Sequence, residues 1–151
     1  MKNTQENDLK DFQLSKHFML SEFTRSATAI KHGIDNTPDA DSVAALQDLC
    51  INVLEPLRRR FGVIRITSGY RCLKLNQMVG GSRTSQHLFG EAADIHVGGI
   101  ETAKKYFYFI KENLVFDQML LEMKQGHVHC LHVSYTSERV NRGYVRTHYD
   151  V

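Results

Sequence analysis

The sequence predicts an α+β fold, a single domain with a central antiparallel sheet flanked by helices. Three observations carry that expectation. An amphipathic helical pattern fills much of the first half, the second half holds short apolar runs that end in polar or glycine turns, and one helical pattern interrupts those runs. A length of 151 residues with 42% hydrophobic content suits one domain around one core.

Residues 1–17 are polar and aperiodic, so a flexible N-terminal segment is expected, with the domain running over 18–151. Ser21, followed by Glu22 and Phe23, is placed to cap a short helical turn. Asn36-Thr37-Pro38-Asp39 is a turn that launches a helix. From Asp41 to Arg60, Val43, Leu46, Leu49, Cys50, Val53, Leu54 and Leu57 recur at spacings of three and four, which puts them on one face, with Pro56 expected to kink the last turns. Val63 to Thr67 is β-branched and ends at Ser68-Gly69, so it reads as a strand entering a loop. Gly80-Gly81-Ser82 and Gly90 punctuate an aperiodic stretch, and Ala92 to Val97 is a second strand before Gly98-Gly99. Ile100 to Leu114 is helical, while Val115–Glu122 and Cys130–Tyr135 are strands around a turn at Met123-Lys124-Gln125-Gly126.

Charge and cysteines narrow the function classes. With 19 Lys+Arg against 17 Asp+Glu, the net charge of +2 gives no pull toward nucleic acid or an anionic membrane. The opening MKNTQENDLKDFQLSKHF has no apolar run for a signal-peptide core or a membrane span, so synthesis in the cytoplasm without stable membrane association is expected. Cys50, Cys72 and Cys130 are odd in number and form no CxxC pair, which argues for buried free thiols.

Polar, metal-capable side chains stand inside apolar surroundings in three segments, SGYRC, SQHLFGEAAD and CLHVSY. His87 and Asp94 lie seven residues apart, and His132 is the natural third ligand, flanked by Leu131 and Val133. Two imidazoles, a carboxylate and an open position can make a catalytic zinc site, although in a chain with 8 histidines the same spacing alone reads equally as separate hydrogen-bonded side chains. His127-Val128-His129 is a competing metal pattern, because alternate residues share a strand face. Arg71, directly after SGY, can pair bidentately with a substrate carboxylate or hold a peptide carbonyl. Ser85 is expected to orient its loop or hydrogen-bond near Asp94 and to meet substrate, since it lacks the base a nucleophile needs. Gly90 would let the backbone pass close to the site. His17, His32, His96 and His148 have no motif around them, although His96 shares a strand face with Asp94.

The flanking residues resemble the zinc peptidases that include D-alanyl-D-alanine carboxypeptidases and phage L-alanyl-D-glutamate endolysins, with the hedgehog signalling domain as a distant fold relative. Ser85, His87, Gly90, Ala92 and Asp94 fill that family's pattern, Leu131 to Tyr135 resembles its last-ligand stretch, and Ser68 to Arg71 supplies SGYR. LSEFTRSATA, FDQ and the late Asn-Arg also look like the phage and Bacteroides-type branch, so the resemblance runs roughly from Phe18 to Val145. It implies Zn²⁺ on His87, Asp94 and His132, a substrate role for Arg71, and the peptide of bacterial peptidoglycan as partner. Some members carry a glutamate three residues before the last ligand, where this chain has His129. Glu122 is therefore the first choice of general base and His129 the second, since imidazole titrates near neutrality. A zinc-containing binding domain without catalysis is the alternative reading.

Overall fold

The computed structural model describes residues 11–147. Most of the expected flexible segment (1–10) and His148 lie outside the described residues. Strands β1 (Gln13–Ser15) and β2 (Phe18–Met19) form a small antiparallel ladder, followed by helices α1 (Leu20–Thr24) and α2 (Ala27–His32). Ordered structure therefore starts before Phe18. Leu14 is buried in the core, and Glu55 accepts hydrogen bonds from the Ser15 hydroxyl at 2.7 Å and the His17 backbone at 2.6 Å. The cap of α1 also differs from expectation: Glu22 accepts the Met19 N–H at 2.7 Å, while the Ser21 hydroxyl turns to Asp11, also at 2.7 Å.

Asp39 caps α3 (Ala40–Leu49) by accepting the Ser42 N–H at 2.8 Å. The single long helix expected from the sequence is instead α3, a π-helical turn at Cys50–Leu54, and α4 (Glu55–Phe61). Pro56 explains the widening, for it has no N–H to donate and its ring crowds the carbonyl one turn back. Just ahead of it the Glu55 N–H reaches back to the Cys50 carbonyl, five residues away. The apolar face survives the insertion, and Leu46, Leu49, Cys50, Val53, Leu54 and Leu57 are all fully buried.

The chain continues through β3 (Ile66–Ser68), α5 (Leu73–Met78), a 3₁₀ turn at Gln86–Phe89, β4 (Ala92–His96), α6 (Ile100–Asn113), β5 (Gln118–Lys124), β6 (His127–Ser134) and β7 (Tyr144–Thr147). The main sheet has five strands in the order β3-β4-β6-β5-β7. Four of them pair antiparallel, and β7 adds a parallel edge beside β5. The long connection after β6 carries the chain past β5 and allows that direction. Gln125 (φ 53°) and Gly126 (φ 75°) close the β5–β6 hairpin in two residues, so both strands run further than the four-residue turn anticipated.

Strand alternation sorts the sheet into two faces. Ala93, Ile95, Met119, Leu121, Leu131 and Val133 join the core, which α6 covers with Ala103, Phe107 and Ile110. Asp94, Leu120, Glu122 and His132 alternate with them and project from the other face. Cys50 and Cys130 are buried, Cys72 is half-buried, and all three are free thiols. Among the described residues no helix is long and apolar enough to cross a membrane.

Candidate metal centre and its cavity

Sheet register brings two of the three candidate ligands together. Asp94 on β4 lies directly opposite His132 on β6, and Asp94 Oδ1 is 2.8 Å from His132 Nδ1. His87 arrives from the 3₁₀ turn with Nε2 at 3.3 Å from the same oxygen. Its Nδ1–H donates to the Gly69 carbonyl at 2.6 Å, which orients the ring so that Nε2 faces the cluster. The ligand atoms of His87, Asp94 and His132 lie within 4.8 Å of one another.

The donor set suits zinc: two imidazole nitrogens and one carboxylate oxygen leave a fourth position open. A tetrahedron with bonds of about 2.0–2.1 Å has edges of about 3.3 Å. The His87–Asp94 separation of 3.3 Å fits that edge, and all three ligand atoms lie within 4.8 Å of one another. Burial opposes ionisation of Asp94, but hydrogen bonds from His132 and His87 outweigh it and hold the carboxyl well below the usual range. The ligand oxygen is thus ready as an anion, as metal binding requires.

The SGYRC loop sets the position of His87. Besides the Gly69 bond, the Arg71 N–H donates to the His87 carbonyl at 3.0 Å. Asn36, buried to 9% exposure, donates to the Thr24 and Tyr70 carbonyls and accepts the Cys72 N–H at 2.8 Å. Ser85 caps the 3₁₀ turn by accepting the His87 N–H at 3.2 Å, so its bond goes to the ligand's backbone and not to Asp94. Gly90 ends the turn at φ 72°, and a Cβ there would collide with the Ser42 carbonyl oxygen on α3. Its close approach is to that helix and not to the ligands.

A cavity of about 260 Å³ opens on the cluster, lined among others by Arg71, Ser85, His87, Glu122, His132 and Arg146. Glu122 pairs with Cys130 across β5–β6, one step diagonal from His132, and the Cys130 thiol donates to its Oε2 at 3.3 Å. His129 sits where the register shifts between Glu122 and Met123, and it is exposed and outside that lining. His127, His32 and His96 are likewise exposed. His17 pairs with Glu55 at 2.7 Å, far along the chain from the ligands.

A family profile described as Peptidase M15 matches residues 16–131. The chain belongs to the peptidase M15 family. That family is one of zinc-dependent peptidases, and the group His87, Asp94 and His132 offers a metal its ligands. The matched span includes Arg71, His87, Asp94 and Glu122 and stops one residue before His132, which the β4–β6 pairing supplies. No curated protein matches this chain.

In this M15 peptidase a second polar centre, not foreseen in the sequence, supports the first. Asp117 is fully buried at the start of β5. Arg139 grips it with two bonds at 2.7 and 2.8 Å, and Arg142 adds its backbone N–H, Nε and Nη2 at 2.8–3.0 Å. Gln86, the residue before His87, donates to Asp117 Oδ2 at 3.0 Å. Burial works against the Asp117 charge, but the Arg139 and Arg142 bonds win and push its pKa far below the usual range. The only sequence signal was the likeness of FDQ and the late Asn-Arg to one branch of the family, and here those two segments meet as Asp117 and Arg142.

Proposed function

We propose that this M15 peptidase hydrolyses a peptide bond in the stem peptide of bacterial peptidoglycan, as a D-Ala-D-Ala carboxypeptidase or an endolysin-type endopeptidase. One observation carries the reading: a single cavity holds the ligands His87 and His132, the carboxylate Glu122 and the cations Arg71 and Arg146. His87, Asp94 and His132 would hold Zn²⁺, which when bound lowers the pKa of a coordinated water and polarises the scissile carbonyl.

The protein's own groups do the rest. Glu122 takes the proton from the attacking water and returns it to the leaving amine, the work of a general base followed by a general acid. Arg71 pairs with a substrate carboxylate or holds a peptide carbonyl, for which its planar guanidinium is suited. Ser85 keeps the 3₁₀ turn, and with it His87 Nε2, in position. A cavity with two arginines in its wall favours a peptide rich in free carboxylates, and the stem peptide is one.

Digestion of purified peptidoglycan, with and without chelator and then with zinc restored, tests the proposal. Release of fragments that stops with chelator and returns with zinc is expected, and fragment masses identify the bond. Stoichiometric zinc without any release would sink the catalytic reading in favour of a binding domain.

A further inference from the structure

The cavity wall contains a device that neither the ligands nor the proposed base accounts for. Asn76 on α5 is 1% exposed, a depth at which a carboxamide must satisfy both its ends. Its Oδ1 accepts a bond from Arg71 Nη1 at 3.1 Å, and its Nδ2 donates to the Ser82 carbonyl at 2.8 Å. Its backbone carbonyl accepts the Gly81 N–H, also at 2.8 Å. One side chain therefore ties the guanidinium of Arg71 to the Gly80-Gly81-Ser82 loop, and Arg71, Gly81 and Ser82 all line the cavity.

Two observations bear on how Arg71 is held. Its Nε is buried and, among the described residues, meets no acceptor, so the Asn76 carboxamide is the side-chain acceptor that anchors the guanidinium. Gly81 leaves no spare room. A Cβ at this position would collide with Asn76 Oδ1 and come within 2.8 Å of Arg71 Nη1. The absent side chain is what allows the loop to close over the Asn76–Arg71 pair.

We infer that Asn76, with Gly81 packed against it, is a positioning residue that holds the Arg71 guanidinium in the cavity wall in the orientation that receives substrate. The substrate half of this statement rests on the role proposed above for Arg71, while the positioning half stands on geometry alone. A guanidinium bonded through Nη1 to a rigid acceptor is fixed before substrate arrives, so its ordering does not have to be supplied by binding.

The test uses the full zinc-loaded protein with ¹⁵N-labelled arginine, and compares the native chain with Asn76→Ala, Gly81→Ala, Arg71→Ala and Asn76→Ala/Arg71→Ala. Zinc content and melting temperature are recorded for each. In the native chain the Arg71 side-chain signals should show hindered rotation, which both Asn76→Ala and Gly81→Ala release. Peptide cleavage should fall about 10- to 100-fold in kcat/KM for Asn76→Ala, and this fall should vanish in the Arg71→Ala background, because two residues that act as one unit are not additive. Unchanged Arg71 signals in both single variants, or an equal fall in the Arg71→Ala background, would overturn the inference. Full activity of Arg71→Ala would instead remove the substrate role assigned to Arg71, and the signals would still decide whether Asn76 holds it.

Discussion

Replacing Asp117 with alanine probes the buried hub that joins β5, the 3₁₀ turn and the segment after β6. The carboxylate accepts six hydrogen bonds, five from Arg139 and Arg142 and one from Gln86. Removing one member of a buried ion pair costs about 3–5 kcal/mol, mostly because the remaining charge is stranded. Here the stranded groups have an escape. The Arg139 and Arg142 side chains are 46% and 50% exposed and can rehydrate, so the lower end, about 3 kcal/mol, is expected. In a chain of this length about 1 kcal/mol moves the melting temperature by about 2–4 °C, which gives a fall of about 6–12 °C at pH 7. Calorimetry on metal-free and zinc-loaded samples separates this loss from any effect of metal binding.

Acidity gives the same prediction a second reading. The folded-state pKa of Asp117 is depressed, so its contribution is complete above the unfolded value of about 3.9 and fades as the pH drops below it. The gap between native protein and Asp117→Ala should thus be flat from pH 7 to about 5 and narrow below about pH 4. A fall of less than about 2 °C at pH 7, or a gap that widens in acid, would refute the reasoning.

Three shorter expectations follow from the site. His132→Ala should lose bound zinc by elemental analysis, whereas Glu122→Gln should keep it and lose about 10²- to 10⁴-fold in kcat. His129→Ala should retain turnover in the same assay, and the opposite pattern would make His129 the base. Gly90→Ala places a side chain at φ 72° and against the Ser42 carbonyl, so a loss of about 2–4 kcal/mol in denaturant unfolding is expected, with weaker zinc binding through the displaced His87 turn.

Much of the centre could be read from the sequence because its parts sit in short segments. His87 and Asp94 share one stretch of ten residues, and the alternation of Leu131-His132-Val133 reveals a strand with one polar position facing away from the core. The main helix and the last hairpin were legible for the same reason, since each is long enough to display its period. What escaped depends on partners far along the chain. The six-residue α2 and α5 are too short to show a helical period, and β7 has four residues whose place is set by β5. The π-helical turn follows from Pro56 acting on a helix whose apolar pattern hardly records it. Asn36, Asn76 and Asp117 look like ordinary polar residues until Tyr70, Arg71 and Arg142 are brought beside them.

The Asp117 hub bears on where this domain ends. A gene fragment stopped after Tyr135 would encode every ligand, the proposed base and Arg71, and would extend beyond the span that matches the family. It would lack both guanidinium groups and the parallel edge strand, leaving the Asp117 carboxylate with Gln86 as its one remaining side-chain donor. Such a fragment would hold the whole reactive inventory on a framework stripped of the charges that close it. A recombinant form of this domain should therefore be bounded by the electrostatic closure of the interior at Arg142 and β7, and not by the last residue of the chemistry.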